Sequence, residues 1–301
     1  MRLVAVLALV LVAVPALAQT TDSSGRLRAQ VKRMALDADA EVGIVVESID
    51  GAARLAVDEA LEFHAASTMK VPVMIELFRQ AHAHRLKLDD EVLVGNQFRS
   101  IVDGSSFSLA VGDDSDADIY KAIGTRMSYR ALCEAMITVS SNLATNVLID
   151  RLGVDAIRQT VASLGGDGMN VRRGVEDSKA FQAGLNNSTT ARGLAALMLA
   201  IARGTAVAPQ ASQEMADVLK RQRFNDAIPA GLPAGTVVGH KTGSITRIHH
   251  DAAIVFGDRP YVLVVLTRGI EDQKKSAALI AELTRAIHAW VTDRQAVGGR
   301  R

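Results

Sequence analysis

A single cysteine in 301 residues leaves no partner for an intrachain disulfide and no thiolate set for a zinc site. Aromatics are scarce as well. Seven Phe, three Tyr and one Trp are too few for a platform that stacks bases or sugars. Neither sign of charge dominates: 34 Lys+Arg stand against 33 Asp+Glu, which gives no electrostatic footprint for nucleic acid or an anionic membrane. The remainder, 49% apolar and 22% charged, is the make-up of a chain that buries a core, not of a disordered one. At this length it can form one sizeable domain or two intimate subdomains.

The one long apolar run is N-terminal. Arg2 precedes an unbroken stretch from Leu3 to Val14, Pro15 breaks it, and Ala16-Leu17-Ala18 has the small-x-small form of a signal-peptidase site. The run is short for a bilayer span, and no cysteine follows it as a lipoprotein would need. Residues 1–18 are expected to be a cleaved signal peptide, with the product periplasmic or secreted. Cleavage would remove one Arg and no acid and leave a neutral chain.

The rest has β-patterns at its ends and α-patterns between. Gln19 to Gly25 is polar and reads as a flexible lead, followed by a helix with Leu27, Val31, Met34 and Ala35 on one face. Val42–Ser48 is a buried-strand pattern, Asp50-Gly51 a turn, and Arg54–Val57 the returning strand. Near the C-terminus Thr236–Thr242, Asp251–Phe256 and Tyr261–Thr267 read as strands. A helix with Leu279, Leu283, Ile287 and Trp290 follows. Helices are expected over Val71–His84, Tyr129–Val139, Leu143–Leu152, Thr190–Ala202 and Gln213–Arg221. Gly95–Asp118 is expected to be a long surface loop. The simplest assembly is α+β, of α/β-sandwich type. One antiparallel sheet from the N- and C-terminal segments (26–65 and 235–301) is flanked by helices, with an inserted helical subdomain (66–234) and a cleft between.

Three motifs sit where the pattern changes. In Ser67-Thr-Met-Lys70 a lysine lies one helical turn from a serine, on the same face. Burial beside other cations can lower its pKa until it serves as the base that activates the hydroxyl. In Ser140-Ser141-Asn142, between two helices, the first hydroxyl can relay a proton to a leaving group, and the amide can hold both a lysine and a substrate amide. In Lys241-Thr242-Gly243-Ser244, on a late strand, the cation and hydroxyl suit an anionic group. Gly243 permits close approach, and the Ser244 amide can join that of Ser67 as an oxyanion hole.

In this order and context the three motifs resemble those of the class A β-lactamase and penicillin-binding-protein superfamily, over nearly the whole chain after the leader. The resemblance implies a serine acyl-transfer enzyme that needs no metal or organic cofactor. Ser67 would attack the carbonyl, Lys70 assist proton transfer and Ser140 protonate the leaving nitrogen. Asn142 would orient, and Lys241 with Thr242 would bind the substrate carboxylate. The implied partner is a small molecule, a β-lactam or a peptidoglycan-like peptide. A monomer is expected, with no nucleic acid and no stable membrane insertion after leader cleavage.

Two departures stand out. The middle motif has Ser141 where the family usually has Asp. On the loop that carries the family's deacylating glutamate, Glu176 falls near the right place, but the residue four further on is Ala180, not Asn. Glu176 is therefore either the general base, with Asn186 or Asn187 folding back, or a turn carboxylate paired with Arg172 or Arg173. Three functions follow: a β-lactam hydrolase; a penicillin-binding or DD-peptidase-like acyl-transfer enzyme with slow deacylation; or a non-catalytic domain that binds a cell-wall fragment or partner.

Other residues have modest expectations. Arg247 is either a second carboxylate anchor or an exposed hairpin arginine. His249 and His250 precede a strand, cannot share a metal from opposite faces, and read as structural. Asp113, Asp114, Asp116 and Asp118 lack the Gly and Glu of a calcium loop and read as a solvated loop. His82 and His84 lie near a helix end, and Cys133 reads as a buried helix residue.

Overall fold

The computed structural model describes residues 17–293. The apolar run and most of the expected leader lie outside them. The chain opens with α1 (Leu17–Asp37), β1 (Glu41–Ser48), β2 (Arg54–Val57) and β3 (Phe63–His64). A 3-10 turn, Ala66–Met69, runs into α2 (Lys70–His82). Short strands β4 (Glu91–Leu93), β5 (Phe98–Arg99), β6 (Ser106–Phe107) and β7 (Arg126–Ser128) lead to α3 (Tyr129–Thr138), α4 (Asn142–Leu152) and α5 (Val154–Ser163). Then come α6 (Ser178–Gln182), β8 (Ser188–Thr189), α7 (Ala191–Ala202) and α8 (Pro209–Leu219). The chain ends with β9 (Val238–Ile245), β10 (Ile248–Val255), β11 (Tyr261–Arg268) and α9 (Gln273–Thr292).

The main sheet has five antiparallel strands in the order β2-β1-β11-β10-β9, so the two ends of the sequence meet at the β1–β11 pair. Strand alternation feeds two cores. Ile44, Val46, Leu263 and Val265 face α1 and α9, meeting Leu27, Val31, Leu283 and Ile287. Val45, Val262, Val264 and Leu266 face the inserted helices. There α7 lies against β1, β10 and β11 with Leu194, Leu197, Met198 and Ile201 buried. This is the α+β architecture the pattern predicts, with strands exposed to helices on both faces.

The differences are local. Gln19–Gly25, expected as a flexible lead, belongs to α1. Ser, Thr and Gln cost a helix only tenths of a kcal/mol each, about 1 for Gly, so polar composition alone does not end one. The helix expected from Gln213 begins at Pro209, which suits a first helical position. Helix α5 follows α4 directly through Gly153, whose φ of 83° a residue with a Cβ rarely adopts. Gly95–Asp118 is not featureless: β5 and β6 form a small hairpin within it. His249 and His250 lie inside β10, not before it. Both are buried, as is Cys133 in α3, whose thiol burial pushes up to about 12.

Because α7 supplies the apolar surface on which one sheet face rests, Leu197→Ala should lower the free energy of unfolding by about 2–5 kcal/mol in denaturant titrations.

Candidate active site

The motifs converge at the seam between the sheet and the inserted helices. Ser67 lies in the 3-10 turn before α2 and is half-buried, and Lys70 begins the helix with no exposed surface. The turn is set by Ala66 at φ 45°, an uncommon conformation for a residue with a Cβ, and by a bond from the Thr68 hydroxyl to the Ala65 carbonyl. Strand β9, at the sheet edge, lies against it. A Cβ added to Gly243 would sit 2.9 Å from the backbone nitrogens of both Ser67 and Thr68. Only glycine lets the strand come this close to those amides.

Two buried lysines meet at one hydroxyl. Lys70 Nζ donates to Ser140 Oγ at 3.1 Å and Lys241 Nζ donates to the same oxygen at 3.0 Å. Lys70 also donates to the Ser140 carbonyl (2.6 Å) and to Asn142 Oδ1 (2.8 Å), and Lys241 to the Thr242 carbonyl (2.8 Å). Ser140 has φ 60°, and its backbone presents the carbonyl and the hydroxyl to the same ammonium group. Asn142 passes the chain on: its Nδ2 donates to Glu176 Oε1 at 3.2 Å. A continuous polar path thus runs Lys241–Ser140–Lys70–Asn142–Glu176.

Burial sets the electrostatics. It lowers Lys70 to about 7, against the opposing charges of Asp114 and Glu176. Lys241 is held well below the usual lysine value, first by burial and then by the Lys70 charge, with Asp251 acting in the opposite sense. Glu176 is raised, mainly by partial burial and then by Asp113, while Lys70 and Arg173 pull it down. A lysine near 7 exists substantially as the free amine at neutral pH, the form that can take a proton.

A family model for the β-lactamase enzyme family matches residues 26–291. The chain belongs to the β-lactamase enzyme family. It is 35% identical over 172 residues to β-lactamase AST-1 of Nocardia asteroides, covering 55% of this chain and 56% of that one. It is 31% identical over 173 residues to the carbapenem-hydrolyzing β-lactamase KPC of Klebsiella oxytoca, covering 55% and 59%. The chain thus spans little more than half the length of the curated relatives it matches. Solved structures align more fully. PBP-A superposes with a TM-score of 0.75 at 26% identity, covering 89% of this chain and 95% of that one. An ancestral class A β-lactamase gives 0.76 at 26%, covering 87% and 99%.

Around the altered middle motif, two side chains satisfy the amides at the start of α4. Ser141 caps α4, its Oγ accepting from Ala144 N at 3.2 Å. An acidic group reaches the motif from elsewhere in the chain: the Asp114 carboxylate accepts from Asn142 N (3.0 Å to each oxygen) and Leu143 N (2.9 Å). Asp114 therefore does not belong to a solvated loop. It places a charge on the amides at the positive end of α4, where an anion is favoured, and takes the Tyr120 hydroxyl at 3.2 Å.

The loop residues sort differently from expectation. Neither Asn186 nor Asn187 reaches Glu176. Asn187 folds back onto the backbone of Arg172 and Arg173, and Asn186 accepts from the Arg173 guanidinium. Short side chains saturate the nearest backbone groups, and here those belong to the other arm of the loop. Among the described residues no ion pair joins Glu176 to Arg172 or Arg173; Arg173 instead donates to the Leu185 and Gly174 carbonyls. Asn146, which sequence reasoning passed over, clamps the segment, accepting from Val175 N at 2.7 Å and donating to Val175 O at 2.9 Å. Its place one turn beyond Asn142 on α4 was the available signal.

Arg247 lies exposed in the two-residue turn between β9 and β10, with φ 59°. Ser244 is exposed on β9 opposite His249. His250 donates from Nε2 to the His64 carbonyl and accepts from Thr267 N, which ties β10 and β11 to the approach to Ser67. Beneath Lys241, buried His240 and Asp251 pair at 3.0 Å, and Asp251 also accepts from Ile228 N. Sequence periodicity marks neither.

Removing the carboxylate that caps α4 should be felt globally. Asp114→Ala is expected to cost about 1–3 kcal/mol of stability, read by thermal or denaturant unfolding.

Proposed function

We propose that the chain is a serine hydrolase that opens the β-lactam amide through an acyl-enzyme on Ser67. The observation that carries this reading is the unbroken path from Lys241 through Ser140, Lys70 and Asn142 to Glu176. In the neutral form Lys70 takes the Ser67 proton as Oγ attacks the carbonyl carbon. Collapse of the tetrahedral adduct breaks the C–N bond, and Ser140 protonates the departing nitrogen. Ser140 recovers its proton from the lysines that share its oxygen. Lys241 and Thr242 bind the substrate carboxylate, and the amides of Ser67 and Ser244 receive the developing oxyanion. Glu176 then removes a proton from water as its oxygen attacks the ester carbon; the ester C–O bond breaks, and the proton passes from Glu176 to the departing Ser67 Oγ, restoring both groups. Arg247 is kept as a candidate second anchor for the carboxylate. The substrate is a small anionic molecule, and the leader-like sequence of residues 1–18 favours export from the cytoplasm.

A second reading keeps acylation and slows deacylation. It is favoured by Ala180, a buried methyl where the family usually has an amide near the hydrolytic water, and by the likeness to PBP-A. A mutant of PBP-A is known as an acyl-enzyme complex with penicillin G. The natural substrate would then be a peptidoglycan-like peptide.

Intact-mass spectrometry after mixing with a penicillin tests both. Wild type should show a penicilloyl adduct that decays, and Ser67→Ala none. Glu176→Gln should keep the adduct about 10²–10⁴-fold longer, the usual worth of a general base. A stable wild-type adduct selects the second reading. No adduct at any concentration would contradict both and leave a binding domain.

A further inference from the structure

Glu176 holds a backbone conformation that its own residue type resists. Its φ is 61°, a left-handed conformation disfavoured for a residue with a Cβ that persists only where the surroundings over-determine it. On the N-terminal side the constraint is the Asn146–Val175 pair. Gly174 is pressed against the same amide, and a Cβ there would lie 2.4 Å from Asn146 Oδ1. On the C-terminal side the constraint comes from a separate part of the chain. Asp177 is 3% exposed, and its carboxylate faces only donors. Oδ1 accepts from Ser100 Oγ at 3.0 Å and from Ala180 N at 3.1 Å, and Oδ2 accepts from Ile101 N at 3.0 Å.

Ser100 and Ile101 belong to the connection of the β5–β6 hairpin. Phe98 pairs with Phe107 and Arg99 with Ser106, and the two Phe rings stand 5.9 Å apart. The turn is closed by Ser100 N to Ser105 O and by Gly104 N to Ser100 O. A second contact runs outside the first: Lys179 Nζ reaches Asp103 at 2.7 Å and Ser105 Oγ at 2.8 Å. The hairpin therefore grips the residues immediately after Glu176 through one buried carboxylate and one surface lysine.

We propose that Asp177 is a positioning residue for Glu176. By pinning the loop to hairpin 98–107 it holds the carboxylate of Glu176 on Asn142 and so governs deacylation but not acylation. This rests on the reading of Glu176 as the deacylating base. Asn cannot replace Asp177 here, because its NH₂ group would face another donor. The groups that serve acylation, Lys70, Ser140 and Lys241, are held by other partners and should keep their places.

The test uses the full chain with a chromogenic β-lactam, combining steady-state rates with the decay of the adduct by mass. Asp177→Asn should slow deacylation about ten- to hundredfold, the scale expected when a catalytic group is misplaced by about 1 Å. kcat and KM should fall together, leaving kcat/KM within about threefold of wild type. Ser100→Ala removes one of the three bonds and should act in the same sense by a smaller factor; it decides the matter if Asp177→Asn does not fold. A folded variant whose kcat/KM falls as far as kcat has lost general integrity and overturns the proposal. So does wild-type deacylation in Asp177→Asn, or in Ser100→Ala when that variant decides, while Glu176→Gln traps the adduct. If Glu176→Gln itself deacylates like wild type, the reading of Glu176 falls first, and the proposal with it.

Discussion

Two fully buried lysines share the hydroxyl of Ser140, and much of the surrounding structure answers to that arrangement. Desolvating an ammonium group is costly, and a second cation beside it raises the cost. The fold meets it with oriented acceptors: the Ser140 carbonyl turned inward by a left-handed backbone, Asn142 Oδ1 and the Thr242 carbonyl. Carboxylates stand further out, Asp114 and Glu176 on the Lys70 side and Asp251 on the Lys241 side. What solvation cannot supply appears as lowered proton affinity. In the proposed mechanism that is the useful product, since an ordinary lysine, with a pKa near 10.5, would hold its proton at neutral pH.

The architecture brings these groups together from four places in the chain. The first turn of α2 and the joint between α3 and α4 adjoin the core of the inserted helices, and strand β9 packs against the Ala66–Met69 turn and α8. Glu176 comes instead from an irregular segment between α5 and α6, with Asn146 on one side of it and Asp177 on the other. Acylation would thus draw on well-packed structure and deacylation on a loop that borrows its rigidity. The two readings of function differ only in how well that loop performs, which is why the same scaffold suits both.

Much of the fold was legible in the sequence. Buried β-branched runs with a turn signal marked β1 and β2, and the apolar stripe of Leu194, Leu197, Met198 and Ile201 marked α7. Ser67, Lys70, Ser140 and Lys241 were legible because each sits at a change of pattern. The rest was hidden for a common physical reason. Asp114 meets Asn142 across 28 residues, and Asp177 meets Ser100 across 77, and neither contact leaves a periodicity in the chain. Asp114 looked like one more loop acid, and Asn187 like a candidate partner of Glu176, until the backbone each one satisfies was known. The signal in the sequence for Asp114 was the lost charge at Ser141, which leaves the amides at the start of α4 open to a carboxylate from elsewhere.

The proposed mechanism rests on burial keeping Lys70 available as a base near neutrality. The most direct measurement is the pre-steady-state rate of acylation of Ser67 by a β-lactam, followed from about pH 5 to pH 9, a range that brackets the shifted lysine. The rate should rise with pH through a midpoint near 7, as Lys70 loses its proton. A rate that is flat across this range, or that rises only toward the ordinary lysine value of 10.5, would contradict it.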